Sequence, residues 1–154
     1  MSDLVLYDSI DSPYAHRVRL VLAHKNVAHR RVSIDVTQPP PWFRGLSPYG
    51  KVPALTTSNG LTLYESAIIN EYLDEVFPDP LLMPPNPGLR AQVRIWTDYC
   101  DRHLAVAHFR LLLGKGTEAQ LNDVLRFMET HGLIGPFWLG PSPSLVDLNC
   151  YPFF

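Results

Sequence analysis

The sequence predicts an α/β domain followed by an all-α one, and three observations carry that reading. In the first half, short runs suited to strands (residues 4–7, 31–36, 54–57 and 61–64) alternate with stretches of helical period. Prolines then cluster between Pro78 and Pro87 and interrupt both periodicities. From Gly88 onward, apolar residues recur mostly at helical spacing.

The elements follow in chain order. Leu4-Val5-Leu6-Tyr7 reads as a short buried strand, and residues 18–23 as part of an apolar helix. Between them, Ser12 fits the N-cap and Pro13 the first helical position. A hydroxyl there faces the same space as the unpaired N–H groups of the helix. A donor in that place stabilises a thiolate over a thiol, whose ordinary pKa is ~8.5. Ser12 is thus a candidate for chemistry as well as for capping. Arg31-Val32-Ser33-Ile34-Asp35-Val36 reads as the next strand. Asn59-Gly60 then sits between two further strands, the pair favoured in a tight turn with positive φ at both central positions.

Two segments around that hairpin suit a small peptide ligand. Pro53 cannot donate to a ladder, so it belongs at a strand start or in a special turn. With a cis Val52-Pro53 bond, Val52 would keep a free N–H and C=O for an extended peptide to pair with. Glu65-Ser66 stands where the pattern switches to helical period (Ile68, Ile69, Tyr72, Leu73, Val76). The helix start suits a carboxylate, Ser66 adds a hydroxyl, and Glu65 is able to accept from an ammonium. An α-amino acid end offers both charges. Taken singly, each residue has a plainer role: Ser66 as a cap, Glu65 as a partner of the helix dipole, Pro53 as a loop end.

In the second half, Val93, Trp96, Tyr99, Cys100, Leu104, Ala107 and Leu111 mark a helix from residue 88 to about 113, with Asp98 and Arg102 spaced for an i,i+4 pair. Gly114-Lys115-Gly116 breaks it. Thr117 to Gln120 reads as a capping box opening a helix to about residue 130, ended by Gly132. Ser144 with Asp147 is a third helix start, followed by an apolar end at Tyr151, Phe153 and Phe154. His24, His29, His103 and His108 lack metal-ligand spacing, and no metal is expected. His16, one turn past Ser12, is expected to be a solvated surface histidine.

Composition narrows the classes. The chain has 154 residues and a net charge of −2 from 13 basic and 15 acidic side chains, so neither a nucleic-acid nor a membrane partner is expected. No apolar run approaches the ~20 residues of a membrane span, and the start lacks a basic-then-apolar signal pattern. The two cysteines, Cys100 and Cys150, make no metal or redox motif and are expected as reduced thiols in a cytoplasmic protein.

The strand, Ser12-Pro13-Tyr14 helix, strand, Val-Pro strand, hairpin strand and Glu-Ser helix resemble the thioredoxin-like domain of cytosolic glutathione transferases. The run from Tyr64-Glu65-Ser66-Ala67 through Asn70-Glu71-Tyr72-Leu73 is close to what many members carry. The Ser-Pro-Tyr motif resembles serine-type, tau-like members, and omega-like relatives place a cysteine at position 12. The resemblance implies a thioredoxin-like glutathione-binding domain (1–78), a Pro-rich linker (79–87) and a partial helical domain (88–154).

It also implies roles. Ser12 activates the thiol of glutathione, Val52 and Pro53 present the strand that its cysteinyl backbone pairs with, Glu65 and Ser66 hold the γ-glutamyl end, and Lys51 reaches the glycyl carboxylate. Members often carry a lysine before the Val-Pro strand, where this chain has Gln38-Pro39-Pro40-Pro41. Arg44 is the candidate substitute. Tyr14, Trp96, Tyr99 and His103 are candidates for the pocket of a small hydrophobic electrophile, with core packing as the plainer role of the aromatics. The implied activity is detoxifying conjugation by a homodimeric transferase.

Residues 71–84 also resemble stringent starvation protein A, which has the same fold but acts by binding RNA polymerase. In the transferases, a Ser-x-x-Asp box like that of Ser144 opens a long central helix followed by others. The expectation is therefore a truncated member, which leaves a third reading, a remnant that keeps only the glutathione site.

Overall fold

The computed structural model describes residues 4–154. The chain forms two compact units, Met1–Pro80 and Leu81–Phe154.

In the first unit, β1 (Val5–Asp8), α1 (Pro13–His24), β2 (Arg30–Ser33), a 3-10 turn (Pro41–Gly45), β3 (Ala54–Thr56), β4 (Thr62–Tyr64) and α2 (Ser66–Val76) follow in order. The sheet runs β2-β1-β3-β4, with β1 parallel to β2 and antiparallel to β3, and β3 antiparallel to β4. This is the thioredoxin-like arrangement. Leu6 faces Arg31 on one side and Leu55 on the other, and Leu55 faces Leu63. Leu6, Val18, Leu22, Leu55, Ile69 and Leu73 are buried, and a second cluster joins Ala15, Ile34, Phe43, Val52 and Ala54.

Two elements differ from expectation. β2 stops at Ser33 rather than running to residue 36. The Asp35 carboxylate accepts from the Thr37 N–H (2.8 Å), the Thr37 hydroxyl (2.6 Å) and the Gln38 N–H (3.3 Å), which turns the chain away from the ladder. The hairpin is not a two-residue turn either. Of the Asn59-Gly60 pair only Gly60 has positive φ, at 82°. The Leu61 N–H donates to the side chains of Thr57 (3.1 Å) and Asn59 (3.3 Å), and these bonds hold a wider loop between β3 and β4.

α1 packs on α2 and carries two buried cations. At its C-terminal cap, Lys25 pairs with Asp74 at 2.6 Å and donates to the carbonyls of Phe77 and Pro80, each at 2.7 Å. These three oxygen partners come from the far end of α2 and the segment after it. Arg17, wholly buried, donates from Nη1 to the Ser66 hydroxyl at 3.3 Å, at the near end of α2.

The second unit contains α3 (Pro87–Tyr99), a π-helical turn (Cys100–Leu104), α4 (Ala105–Leu112), α5 (Glu118–Gly132) and α6 (Leu145–Cys150). The expected single helix is thus interrupted by one wide turn. The capping boxes at Thr117/Gln120 and Ser144/Asp147 both form, and Asp98 pairs with Arg102 at 2.8 Å. Of the three terminal aromatics, Tyr151 and Phe154 are exposed and Phe153 is buried, its ring near perpendicular to those of His108 and Phe109. Gly132 closes α5 with Trp138 directly against it: a Cβ there would lie 1.8 Å from Trp138 Cζ3. No helix among the described residues is long and apolar enough to cross a membrane.

Two stability outcomes follow from this packing. Lys25→Met removes the cation from a buried carboxylate and orphans two carbonyls, so urea unfolding should show a loss of about 3–5 kcal/mol. Gly132→Ala forces Trp138 off its seat and should cost about 1–3 kcal/mol in the same assay, even though alanine is the better helix former. A Gly132→Ala chain as stable as the parent would mean that Trp138 is not held there.

Candidate functional site

Ser12 takes an extended conformation (φ −82°, ψ 116°) and caps α1, its Oγ accepting from the Ala15 N–H at 3.2 Å. The cap uses a lone pair of the oxygen and leaves the O–H proton free to donate elsewhere. Capping and chemistry are therefore compatible in one half-buried side chain. His16, expected in solvent, is half-buried, and its pKa lies below the ordinary histidine value. Burial penalises the imidazolium first, and the Arg19 charge adds repulsion. Near neutral pH the group beside the α1 start is thus a neutral imidazole.

The loop before Ser12 is tied down by charges that sequence reasoning did not single out. The buried Asp8 carboxylate accepts from Arg19 Nη1 (3.0 Å) and from Arg31 Nε (3.1 Å) and Nη2 (2.8 Å). Arg19 also donates from Nη1 to the Ser9 carbonyl and from Nη2 to that of Ile10, both at 3.1 Å. The signal available in the sequence was an Asp closing a strand with arginines in the next two elements.

The Val52-Pro53 peptide is cis. Ahead of it, the buried Ser47 hydroxyl donates to the Lys51 carbonyl (2.7 Å) and accepts from the Lys51 N–H (3.2 Å), which fixes the chain entering Val52. The Val52 side chain is packed in the core with Ala15, Phe43 and Ala54. Its N–H and C=O have no hydrogen-bond partner among the described residues. Lys51 is exposed. The Arg44 guanidinium carbon lies 4.0 Å from where a side chain on Gly50 would begin, so Arg44 and Lys51 flank one turn.

Glu65 is exposed and has φ 69° and ψ 112°, a strained backbone for a residue with a side chain. It occupies the N-cap of α2 but makes no side-chain cap bond. The first bond of the helix runs from the Ile69 N–H to the Glu65 carbonyl at 2.9 Å, so the earlier N–H groups point out of the helix end. Ser66 is the first helical residue rather than the cap. Its hydroxyl is buried and accepts from Arg17, which orients the O–H proton as a donor. The Arg17 guanidinium stands 5.0 Å from the centre of the Tyr14 ring.

The remaining candidates lie in the helical unit. The rings of Tyr99 and His103 pack at a tilt of 30° with centroids 4.3 Å apart, and Tyr99 stacks on Phe127 of α5 at 5.1 Å. Phe127 in turn stacks on His131 at 4.3 Å, and Trp96 packs on Trp138 at 5.0 Å. Trp96 and Tyr99 thus join α3 to α5. An apolar groove of about 470 Å³ opens in the same unit, lined by residues including Met128, Leu133, Phe137, Trp138, Tyr151 and Phe154, of which the sequence marks only Tyr151 and Phe154, as part of an apolar end. Among the described residues no cluster of His, Cys, Asp and Glu is arranged to hold a metal ion.

Comparison with known proteins places this geometry. The family described as glutathione S-transferase, N-terminal domain, matches residues 11–76. Glutathione S-transferase omega-2 of Rattus norvegicus is 30% identical over 97% of this chain, which spans 63% of that relative's length. Glutathione S-transferase 3 of Glycine max is 33% identical, with 99% of this chain and 73% of the relative covered. A solved structure of rice GST1 in complex with glutathione superposes with a TM-score of 0.82 at 29% identity, covering 99% of this chain and 73% of that one. Sequence and fold together show that the chain belongs to the cytosolic glutathione S-transferase superfamily.

Proposed function

We propose that residues 1–78 bind glutathione and that the chain joins the bound thiolate to a small hydrophobic electrophile. The chain spans 63% of the omega-2 relative from rat, so the activity of the whole protein is part of this proposal. Val52 carries the reading: its side chain is locked in the core while its backbone N–H and C=O are unpartnered among the described residues. The cysteinyl part of glutathione pairs there as an added strand, next to the bend at Pro53. Its α-carboxylate meets the uncapped N–H groups of α2 and the Ser66 hydroxyl, its ammonium meets Glu65, and Lys51 and Arg44 receive the glycyl carboxylate. Beyond the linker (79–87), the helical part (88–154) offers Trp96, Tyr99 and His103 as candidates for the electrophile, and the first part offers Tyr14. The working form is a cytoplasmic homodimer.

Ser12 donates its O–H to the sulfur. The thiol proton leaves to solvent, and the thiolate attacks the electrophilic carbon. The C–S bond forms as the bond to a leaving group breaks and that group departs with the electron pair, or as a polarised double bond opens and its far end takes a proton from solvent. Serine in this role favours conjugation or peroxide reduction, because thiol-disulfide exchange needs a protein thiol at that position.

Two measurements test the proposal. A thermal unfolding scan should move up with millimolar glutathione, since a ligand at a hundredfold excess over Kd adds about 2.7 kcal/mol. Ser12→Ala should keep that shift but lower turnover by about a hundredfold and raise the pKa of the bound thiol. An upward shift without conjugating activity would mark a glutathione site that has no catalytic use. A cooperative melt that glutathione leaves in place would reject the site and favour a non-catalytic binder of the starvation-protein type.

A further inference from the structure

We propose that Arg19 is a positioning residue for Ser12, holding the loop that carries it by two backbone carbonyls. This rests on the assignment of Ser12 as thiol activator, and it adds a residue to that machinery.

Asp8 does not need Arg19 for charge balance. Arg31 already meets its Oδ2 through both Nε and Nη2, at 3.1 and 2.8 Å. What Arg19 alone contributes is its reach over the β1–α1 loop. One guanidinium contacts the Asp8 carboxylate, the Ser9 carbonyl and the Ile10 carbonyl, a set of directions that a planar fork of donors meets and an ammonium on a flexible stem does not. The Ser9 carbonyl is the informative contact, because it also accepts from the Ser12 N–H at 3.1 Å. Arg19 and the Ser12 backbone therefore share one oxygen, and the position of that oxygen sets the entry of Ser12 into its cap. Asp8 is buried at the end of β1, so the clamp is referenced to the sheet.

A hydroxyl that must meet a sulfur gains from this kind of anchoring. A displacement of about 1 Å in a reacting or activating group costs on the order of a hundredfold in rate, even when its cause is remote from the chemistry. Val52 is packed in the core and Ser66 is met by Arg17, so neither depends on the Arg19 contacts when the loop is loosened.

The test compares Arg19→Lys, Arg19→Gln, Arg31→Gln and Ser12→Ala by glutathione affinity, by titration of the bound thiol through its thiolate absorbance, and by melting temperature. Arg19→Lys keeps the charge but loses the fork, so it isolates position from electrostatics. The expected result in both Arg19 variants is an unchanged glutathione affinity at acidic pH, where the bound thiol is protonated, with a bound thiolate fraction near neutral pH lowered about tenfold. Arg31→Gln should lower the melting temperature while the bound thiol titrates as in the parent. Should Arg19→Gln not fold, Arg19→Lys decides. The inference is overturned if Arg19→Lys folds and its thiol titrates as in the parent, or if Arg31→Gln shifts the thiol equally. If Ser12→Ala itself leaves the thiol unchanged, the assignment of Ser12 fails and this inference fails with it. A response in Ser12→Ala without one in Arg19→Lys overturns only the role of Arg19.

Discussion

The α/β unit depends on how α1 is fastened to α2, and the fastening is done by two cations buried at opposite ends of one helix. Arg17 reaches the first residue of α2, and Lys25 reaches Asp74 and the carbonyls beyond its last turn. Apolar packing between the helices is non-directional and would tolerate sliding. Buried charges do not tolerate it, because each leaves its partner at the cost of an unpaired ion in a low-dielectric interior. The register of the two helices is therefore fixed at both ends. Both proposed anchor points at helix starts, Ser12 on α1 and Glu65-Ser66 on α2, inherit that register.

The proposed glutathione site would require few dedicated residues. Ser12 is an ordinary N-cap by its bond to Ala15, and Val52 is an ordinary core residue by its side chain. What each has left over, a hydroxyl proton in one case and a peptide group in the other, is what a ligand would use. Ser66 follows the same rule, since the bond it accepts from Arg17 leaves its proton to be given away. On the proposed assignment, function in this fold would be built from the unused halves of structural interactions.

That economy explains which parts were legible in the sequence. The caps at Ser12, Thr117 and Ser144 are local, encoded within four residues, and all three form. Val52-Pro53 and Glu65-Ser66 were legible because proline and a helix start constrain the backbone wherever they occur. The end of β2 and the hairpin were misread because Asp35, Thr37, Thr57 and Asn59 hydrogen-bond to nearby backbone, competition that strand pattern and turn statistics do not weigh. The roles of Asp8, Arg17 and Lys25 were invisible for a different reason. A charged residue in an amphipathic helix reads as solvent-facing, and only the tertiary fold reveals a partner 49 or more positions away for Arg17 and Lys25. The fit of Trp138 on Gly132 is likewise a matter of shape rather than of pattern.

If Glu65 holds glutathione as proposed, its backbone sets stability against ligand at a single position. At φ 69° and ψ 112° a glycine would be less strained than a glutamate, and the glutamate carboxylate makes no cap bond that repays the difference within the fold. In a lineage that had ceased to use the ligand, nothing would oppose replacement of this residue by glycine, which relieves the backbone. The identity of residue 65 in descendants of this chain would then serve as a record of selection: glutamate where the pocket is still in use, and glycine where it has been abandoned.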